Sequence, residues 1–391
     1  MTILDFVQSL QDMKKAQTQW ANTELSQRAE ALRKISEKIK LSSFEIPDFL
    51  PELQIRPSAQ AFDRVSGIQI PKNTYPRSTG FLSILLPANF SFRILAEKLA
   101  PALLAGNGVF VYVPSQNAWM KEIWSSLLEG LPARIFDGEE DLMEILVTHP
   151  AIHGVSYYGD PLQAEKVLKW MAGSWKKQQI TSGYHNSALI LNEVDLPAVA
   201  EKLVHSCFSG LGTLHWNISN ILVTEAQLPE FQKEFLGRLE QRSWGSFQPE
   251  IESRLSEIRA KLKTENGKVL HGGGPHQPLV VQDLSHCSTL QQDCLMAPVV
   301  LISPVKYVHE MVKWTNTSYY GMLAQIFGPD EKVEKFGSQL EVNRVMANAW
   351  IDKMTELPLG IKQSFSGLSD MHPFGGFFSD VRKIDGLESK S

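Results

Sequence analysis

Cysteine is scarce, with three in 391 residues, at 207, 287 and 294, an odd number without a Cys-x-x-Cys pair. That excludes a disulfide framework and a zinc ribbon and points to a reducing compartment. Long apolar runs are missing too. A membrane helix needs about 18 to 20 uninterrupted apolar residues, and the best run, Phe81 to Leu86, is closed at once by Pro87. The opening residues, MTILDFVQSLQDMKKAQ, carry no basic start, long apolar stretch or small-residue cleavage site, so no secretory leader is expected and the cytoplasm is the expected compartment. Basic charge is not in excess: 38 Lys and Arg stand against 43 Asp and Glu, a net −5, with the cations dispersed. Nucleic acid is therefore not the expected partner. There is no internal repeat and no low-complexity tract.

What the chain does have is length enough for roughly two to three domains of about 150 residues, burying about three quarters of the unfolded surface without staples. Apolar residues at helical spacing over 3–40 predict two amphipathic helices. The stretch from Ser42 to Arg77, with five prolines, reads as loop or short extended structure. From Gly80 strand-like runs alternate with helical ones. FLSILL, VFVYV, GVSYY at 154–158, ALIL at 188–191 and ILV at 221–223 are separated by helices, including those over 161–173 and 196–209. This alternation predicts parallel sheets with crossover helices. One charged helical stretch over 229–263 leads to the loop HGGGPH at 271–276, after which VVLIS at 300–304 resumes the strands.

Dinucleotide folds seat phosphate at a Gly-rich strand-to-helix turn, because glycine lets the backbone approach and the helix N-terminus favours an anion. Gly159 closes a strand here, but Asp160 follows it. An aspartate at that position caps a helix and repels a phosphate. The turn Gly210-Leu211-Gly212-Thr213-Leu214-His215-Trp216-Asn217 is the best setting for an exposed nucleophile, yet it carries no thiol. Cys207 falls on an apolar helical pattern, as an inert core thiol would. His271, His276 and His286 match no metal-ligand spacing and read as loop histidines. The acidic run Asp137, Glu139, Glu140 and Asp141 reads as a solvated turn.

The segment PANFSFRILAEKLAPALLAGNGVFVYVPS at 87–115 resembles the aldehyde dehydrogenase superfamily's Pro-Trp-Asn-Phe-Pro turn, its Lys-Leu-Ala-Pro-Ala-Leu-Ala-Ala-Gly-Asn helix and its Lys-Pro-Ser strand end. THPAIHGVSYYGD, SALILNEVDL, FSGLGTLHWNISNILV, GKVLHGG, WTNTSYYGMLAQIF, NRVMANAW and HPFGG follow in the family's order, so that the resemblance runs from about Asp12 to Gly376. It implies an α/β fold of aldehyde dehydrogenase type. A Rossmann-like nucleotide-binding-type domain would span 1–181, a catalytic-type α/β domain 182–378, and a C-terminal tail 379–391.

The resemblance also implies where chemistry should sit. In the family an Asn of the Pro-Trp-Asn-Phe turn helps hold the oxyanion, and Asn89 stands there. The nucleophilic Cys position falls on His215, and the Glu of Glu-Leu-Gly-Gly on Thr181 in TSGYHNS. The Lys that binds the adenosine ribose is Val113, the Gly-Ser opening the phosphate-facing helix is Gly159-Asp160, and the Glu that holds the nicotinamide ribose is Cys294. The family also has more chain before the Pro-Trp-Asn-Phe turn and a C-terminal strand that pairs with a neighbouring subunit. The expectation is a pseudoenzyme retained for binding a small molecule or protein. It would need no cofactor (NAD or NADP if any) and would be a monomer or a helix-mediated dimer, with neither nucleic acid nor membrane as partner. The alternative is an NAD(P)-dependent oxidoreductase with altered residues, in which His215 adds to an aldehyde.

Overall fold

The helical spacing at the start of the chain produces α1 (Ile3–Ala21) and α2 (Leu25–Leu41). Phe6, Met13, Leu32 and Ile39 are wholly buried on their inner faces. A computed structural model describes residues 3–44, 55–70, 75–87, 91–272, 274–350, 356–368 and 371–382. It corrects the expectation for the proline-rich stretch, where α3 (Ile55–Ser66) forms. Pro57 sits in its first turn, where a missing N–H costs no intrahelical bond, and Ala59, Phe62 and Val65 give it a buried face.

The alternation that follows is β1 (Tyr75–Ser78), β2 (Phe81–Leu85), α4 (Ser91–Leu104), β3 (Gly108–Pro114), α5 (Trp119–Leu127), β4 (Ala133–Gly138), α6 (Glu140–Thr148), β5 (Ile152–Gly159), α7 (Pro161–Met171) and β6 (Lys177–Ser182). Then come β7 (Asn186–Ile190), α8 (Leu196–Phe208), β8 (Ile218–Thr224), α9 (Leu228–Glu240), α10 (Pro249–Glu265), β9 (Lys268–His271), β10 (Leu279–Gln282) and β11 (Val299–Val305). The chain continues through α11 (Val308–Asn316), β12 (Tyr320–Gly321), β13 (Leu323–Phe327), α12 (Asp330–Gly337), β14 (Arg344–Ala347), β15 (Ile361–Lys362), β16 (Phe365–Gly367) and β17 (Ser379–Arg382). The charged stretch read as one helix is two, α9 and α10, separated by residues 241–248.

Two compact units result, one of residues up to Thr181 together with the chain from Ser366, the other Ser182–Phe365. The first holds a sheet in the order β16-β6-β5-β2-β3-β4. Its β2 runs parallel to both β3 and β5, and β3 parallel to β4. β2 is buried along its whole length and β3 up to Val113, as strands covered on both faces must be. The second unit holds a seven-stranded sheet in the order β14-β13-β7-β8-β11-β10-β9, where β9 runs antiparallel to β10 and the neighbouring strands from β10 across to β14 are parallel.

The segment 366–378, expected in the second domain, is counted with the first, and the expected tail supplies a strand. β16 joins the first sheet beside β6, and Leu368 N–H donates to the Gln178 carbonyl at 2.8 Å. β17 pairs antiparallel with β1, from Tyr75 opposite Arg382 to Ser78 opposite Ser379. Lys177 holds it from the side, 2.7 Å from Asp380 and 3.1 Å from the Ser379 carbonyl. Strands of three and four residues carry too little alternation to announce such a return.

Candidate functional site

At the end of β3 Val113 is fully buried, paired across to Asp137 of β4, and offers no polar atom from its side chain. At the end of β5 the chain turns into α7 through Gly159 and Asp160. Asp160 has extended backbone and its carboxylate accepts the Gln163 N–H at 2.8 Å, with Pro161 in the first helical position, so it is a true N-cap. The Tyr157 hydroxyl lies 3.2 Å from both the carboxylate and the carbonyl of Asp160. Burial, and then the neighbouring carboxylate, push the Tyr157 phenol well above its ordinary pKa, so it stays a donor. A Cβ on Gly159 would collide with that hydroxyl. Glycine is therefore required here by the approach of Tyr157.

Gln179 and Thr181 lie two apart on β6 and share a face of the sheet. Both are fully buried. The Gln179 side-chain oxygen accepts from Lys98 Nζ of α4 at 2.5 Å and from Ser156 Oγ at 3.0 Å. Lys98 is 1 % exposed, and burial pushes its ammonium down to about 7 against the pull of Glu97. Beside it the Arg64 guanidinium lies 2.5 Å from Glu97, with Arg93 at 3.7 Å. The Thr181 hydroxyl is buried without a hydrogen-bond partner among the described residues. A hydroxyl there cannot take up a proton near neutral pH as a carboxylate can. Asn89, the expected oxyanion donor, lies outside the described residues.

In the second unit the turn after α8 has three successive residues in the left-handed region, Gly210, Leu211 and Gly212. A Cβ on Gly212 would strike the backbone of Ala297 and Pro298, which fixes this turn against the 294–298 segment. Asn186 donates to the carbonyls of His215 and Asn217, both at 2.8 Å, and the Asn217 side chain accepts the Leu214 N–H at 2.7 Å. His215 is thereby pinned through its backbone and is 3 % exposed. Cys294, 4 % exposed, accepts the Tyr184 N–H on its sulfur at 3.3 Å. Arg254 of α10 clamps that segment by donating to the Cys294 and Leu295 carbonyls at 2.9 and 3.0 Å.

The structure thus brings His215 and Cys294 onto one residue that sequence reasoning missed. The Tyr184 ring lies 5.6 Å from the His215 ring, and its hydroxyl donates to the Gly212 carbonyl at 2.5 Å. Met322, Met296 and Tyr320 pack around it and Cys294. Burial holds the Tyr184 phenol protonated, well above its usual pKa. The signal was present in TSGYHNS, which keeps one glycine where Glu-Leu-Gly-Gly has two; Tyr184 stands at the second.

The remaining candidates lie apart. Cys207 is buried on α8, where desolvation pushes its thiol up and leaves it unreactive. His276 accepts the Phe247 N–H at 2.9 Å, and His286 stacks on Trp314 at 3.9 Å. Among the described residues no three His, Cys, Asp or Glu side chains are grouped to hold a metal ion, and no helix is long and apolar enough to cross a membrane. Asp137 and Glu140 of the acidic run pair with Lys121 and Lys166.

Comparison with known proteins places this architecture. A curated 2-aminomuconic semialdehyde dehydrogenase of Mus musculus is 26% identical over 343 residues, 78% of this chain and 69% of that protein. The crystal structure of glyceraldehyde-3-phosphate dehydrogenase from Methanocaldococcus jannaschii complexed with NADP superposes with a TM-score of 0.84 at 20% identity, covering 98% of this chain and 94% of that one. An NAD+ complex of aldehyde dehydrogenase from Bacillus cereus gives 0.82 at 16%, covering 93% and 84%. The description that matches residues 53–384 is the aldehyde dehydrogenase family, and with the two α/β units and the order of motifs it establishes that the chain belongs to that family.

Proposed function

We propose that this chain is a family member that has lost cysteine-dependent aldehyde oxidation and is kept for binding a small molecule or a protein partner. The observation that carries the reading is the carboxylate of Asp160, seated on the N-terminus of α7 by Gln163 and Tyr157, where the family resemblance puts the phosphate-facing serine. An anion a few ångström from a pyrophosphate costs on the order of 1 to 4 kcal/mol, about one to three powers of ten in affinity. Val113 adds no handle, and Cys294, already bonded to an amide, stands where a ribose would need a carboxylate. The residues present do not fit a nicotinamide dinucleotide. His215 and Thr181 supply neither a thiolate nor a carboxylate base. Three free thiols support a reducing, cytoplasmic setting. The in-chain pairing of β17 with β1 supports a monomer, or a dimer made through helices.

A second reading, an NAD(P)-dependent oxidoreductase with altered catalytic residues, is favoured by the relatives, which are named as dehydrogenases and, among the solved structures, as NADP and NAD+ complexes. Calorimetry with NAD and NADP, and turnover of short and long aldehydes, separates the two. The first reading expects no heat of binding, no turnover, and none in the His215→Cys, Thr181→Glu double variant. Micromolar binding, or turnover abolished by His215→Ala, establishes the second.

A further inference from the structure

The disagreement between the cofactor and the second unit has a specific agent. Two positions that flank a nicotinamide in the resemblance, those of the nucleophile and of the ribose carboxylate, are occupied by His215 and Cys294, and both touch Tyr184. What lies against His215 is a six-membered aromatic ring belonging to the chain itself. It is 1 % exposed, its hydroxyl donates to the Gly212 carbonyl, and Met322 and Tyr320 pack around it. The contact with Cys294 is made by the backbone N–H of residue 184, so it needs no tyrosine; the ring is a separate addition to the site. Residue 184 is not among those in the left-handed region, so its backbone does not call for glycine and accommodates a side chain without strain. A position without a side chain would leave a ring-sized space bounded by His215, Cys294 and the Gly212 carbonyl.

We infer that Tyr184 is the residue that excludes a nicotinamide ring from this chain, because its phenol takes that ring's place beside His215, in the cluster that also holds Cys294. The inference rests on the reading of the chain as one that does not use the cofactor, and it adds which residue makes the nicotinamide end unavailable. It makes Tyr184 a specificity-determining residue with no part in bond making.

Removing the ring tests it. Tyr184→Gly and Tyr184→Ala are compared with the unaltered protein and with Tyr184→Phe, which keeps the ring and loses only the bond to Gly212. The probes are 4-methylphenol, which reproduces the lost side chain, and nicotinamide, each at millimolar concentration in thermal denaturation. Both are expected to raise the melting temperature of the Gly and Ala variants by several degrees and to leave the other two proteins unmoved. Should Tyr184→Gly not fold alone, refolding it with 4-methylphenol present is expected to recover it, and Tyr184→Val, with a smaller void, to show the same shift at reduced size. No shift in any truncated variant, a shift with 4-methylphenol alone, or equal shifts in all proteins overturns the inference. Tight NAD binding by the unaltered protein overturns the functional reading and this inference together. A failed ring test with no such binding overturns only the role of Tyr184.

Discussion

Lys98→Met is expected to stabilise the protein at neutral pH and to remove a pH dependence that the unaltered chain carries. Lys98 is 1 % exposed and among the described residues its amine has one hydrogen bond, to Gln179 at 2.5 Å, while burial lowers its pKa from 10.5 to about 7. In the unfolded chain the amine titrates near its ordinary value. Between about pH 7 and 10.5 the unfolded state therefore holds more protons at this site than the folded state, and stability rises with pH by up to roughly 1.4 kcal/mol per unit. Above that window the lysine contributes no penalty; below it both states are protonated and the penalty, roughly 5 kcal/mol, is constant. Methionine has a similar length and no charge to bury. It gives up about 1 kcal/mol with the bond to Gln179, whose oxygen still accepts from Ser156.

The net gain should be about 3 kcal/mol near pH 7, shrinking by about 2 kcal/mol at pH 9. Urea denaturation of both proteins at half-unit steps from pH 6 to 9.5 reads this directly, because other titrating groups cancel in the difference. Parallel stability profiles would refute the reasoning. They would mean that the amine is solvated or paired in a way that its packing against Gln179 and Tyr158 does not contain.

Asp160→Ala removes the cap of α7 and the Tyr157 contact, and is expected to cost about 1 kcal/mol of stability in thermal or urea denaturation; Asp160→Asn, which can still accept the Gln163 N–H, should stay within a few tenths. Light scattering coupled to size exclusion should show a monomer or a dimer at all accessible concentrations, since β17 is already paired with β1 in its own chain; a stable tetramer contradicts the proposed assembly.

The strands were legible because parallel strands buried on both faces leave continuous apolar runs, such as FLSIL and GVFVYV. α3 was not. Its twelve residues lie among five prolines, and one proline in a first turn is indistinguishable by composition from one that breaks a helix. The Asp160 cap was readable because it is local, a side chain bonding three residues ahead. Tyr184 and Lys98 were hidden for the opposite reason. The consequence of each depends on partners 110 and 81 residues away, Cys294 and Gln179, and no local period encodes that distance. The return of the chain from Ser366 is likewise a fact of pairing between segments remote in sequence.

On the proposed reading, a site left only to drift should show loose packing and orphaned groups at the positions of the family's functional residues. Thr181, with its buried hydroxyl, fits that description. The others do not. Asp160 caps a helix, Cys294 accepts an amide, the His215 carbonyl is held by Asn186, and Tyr184 ties the 210–212 turn to the β6–β7 connection through the Gly212 carbonyl. Each bonded contact of this kind is worth about 1 kcal/mol, against a total stability of about 5 to 15 kcal/mol for a typical domain. Changing Asp160, Cys294 or Tyr184 singly is expected to cost stability, because each change removes a bonded contact that the present side chain makes. Within the second unit the contacts of His215, Cys294 and the Gly212 turn meet at Tyr184, so substitutions at these positions are expected to be non-additive.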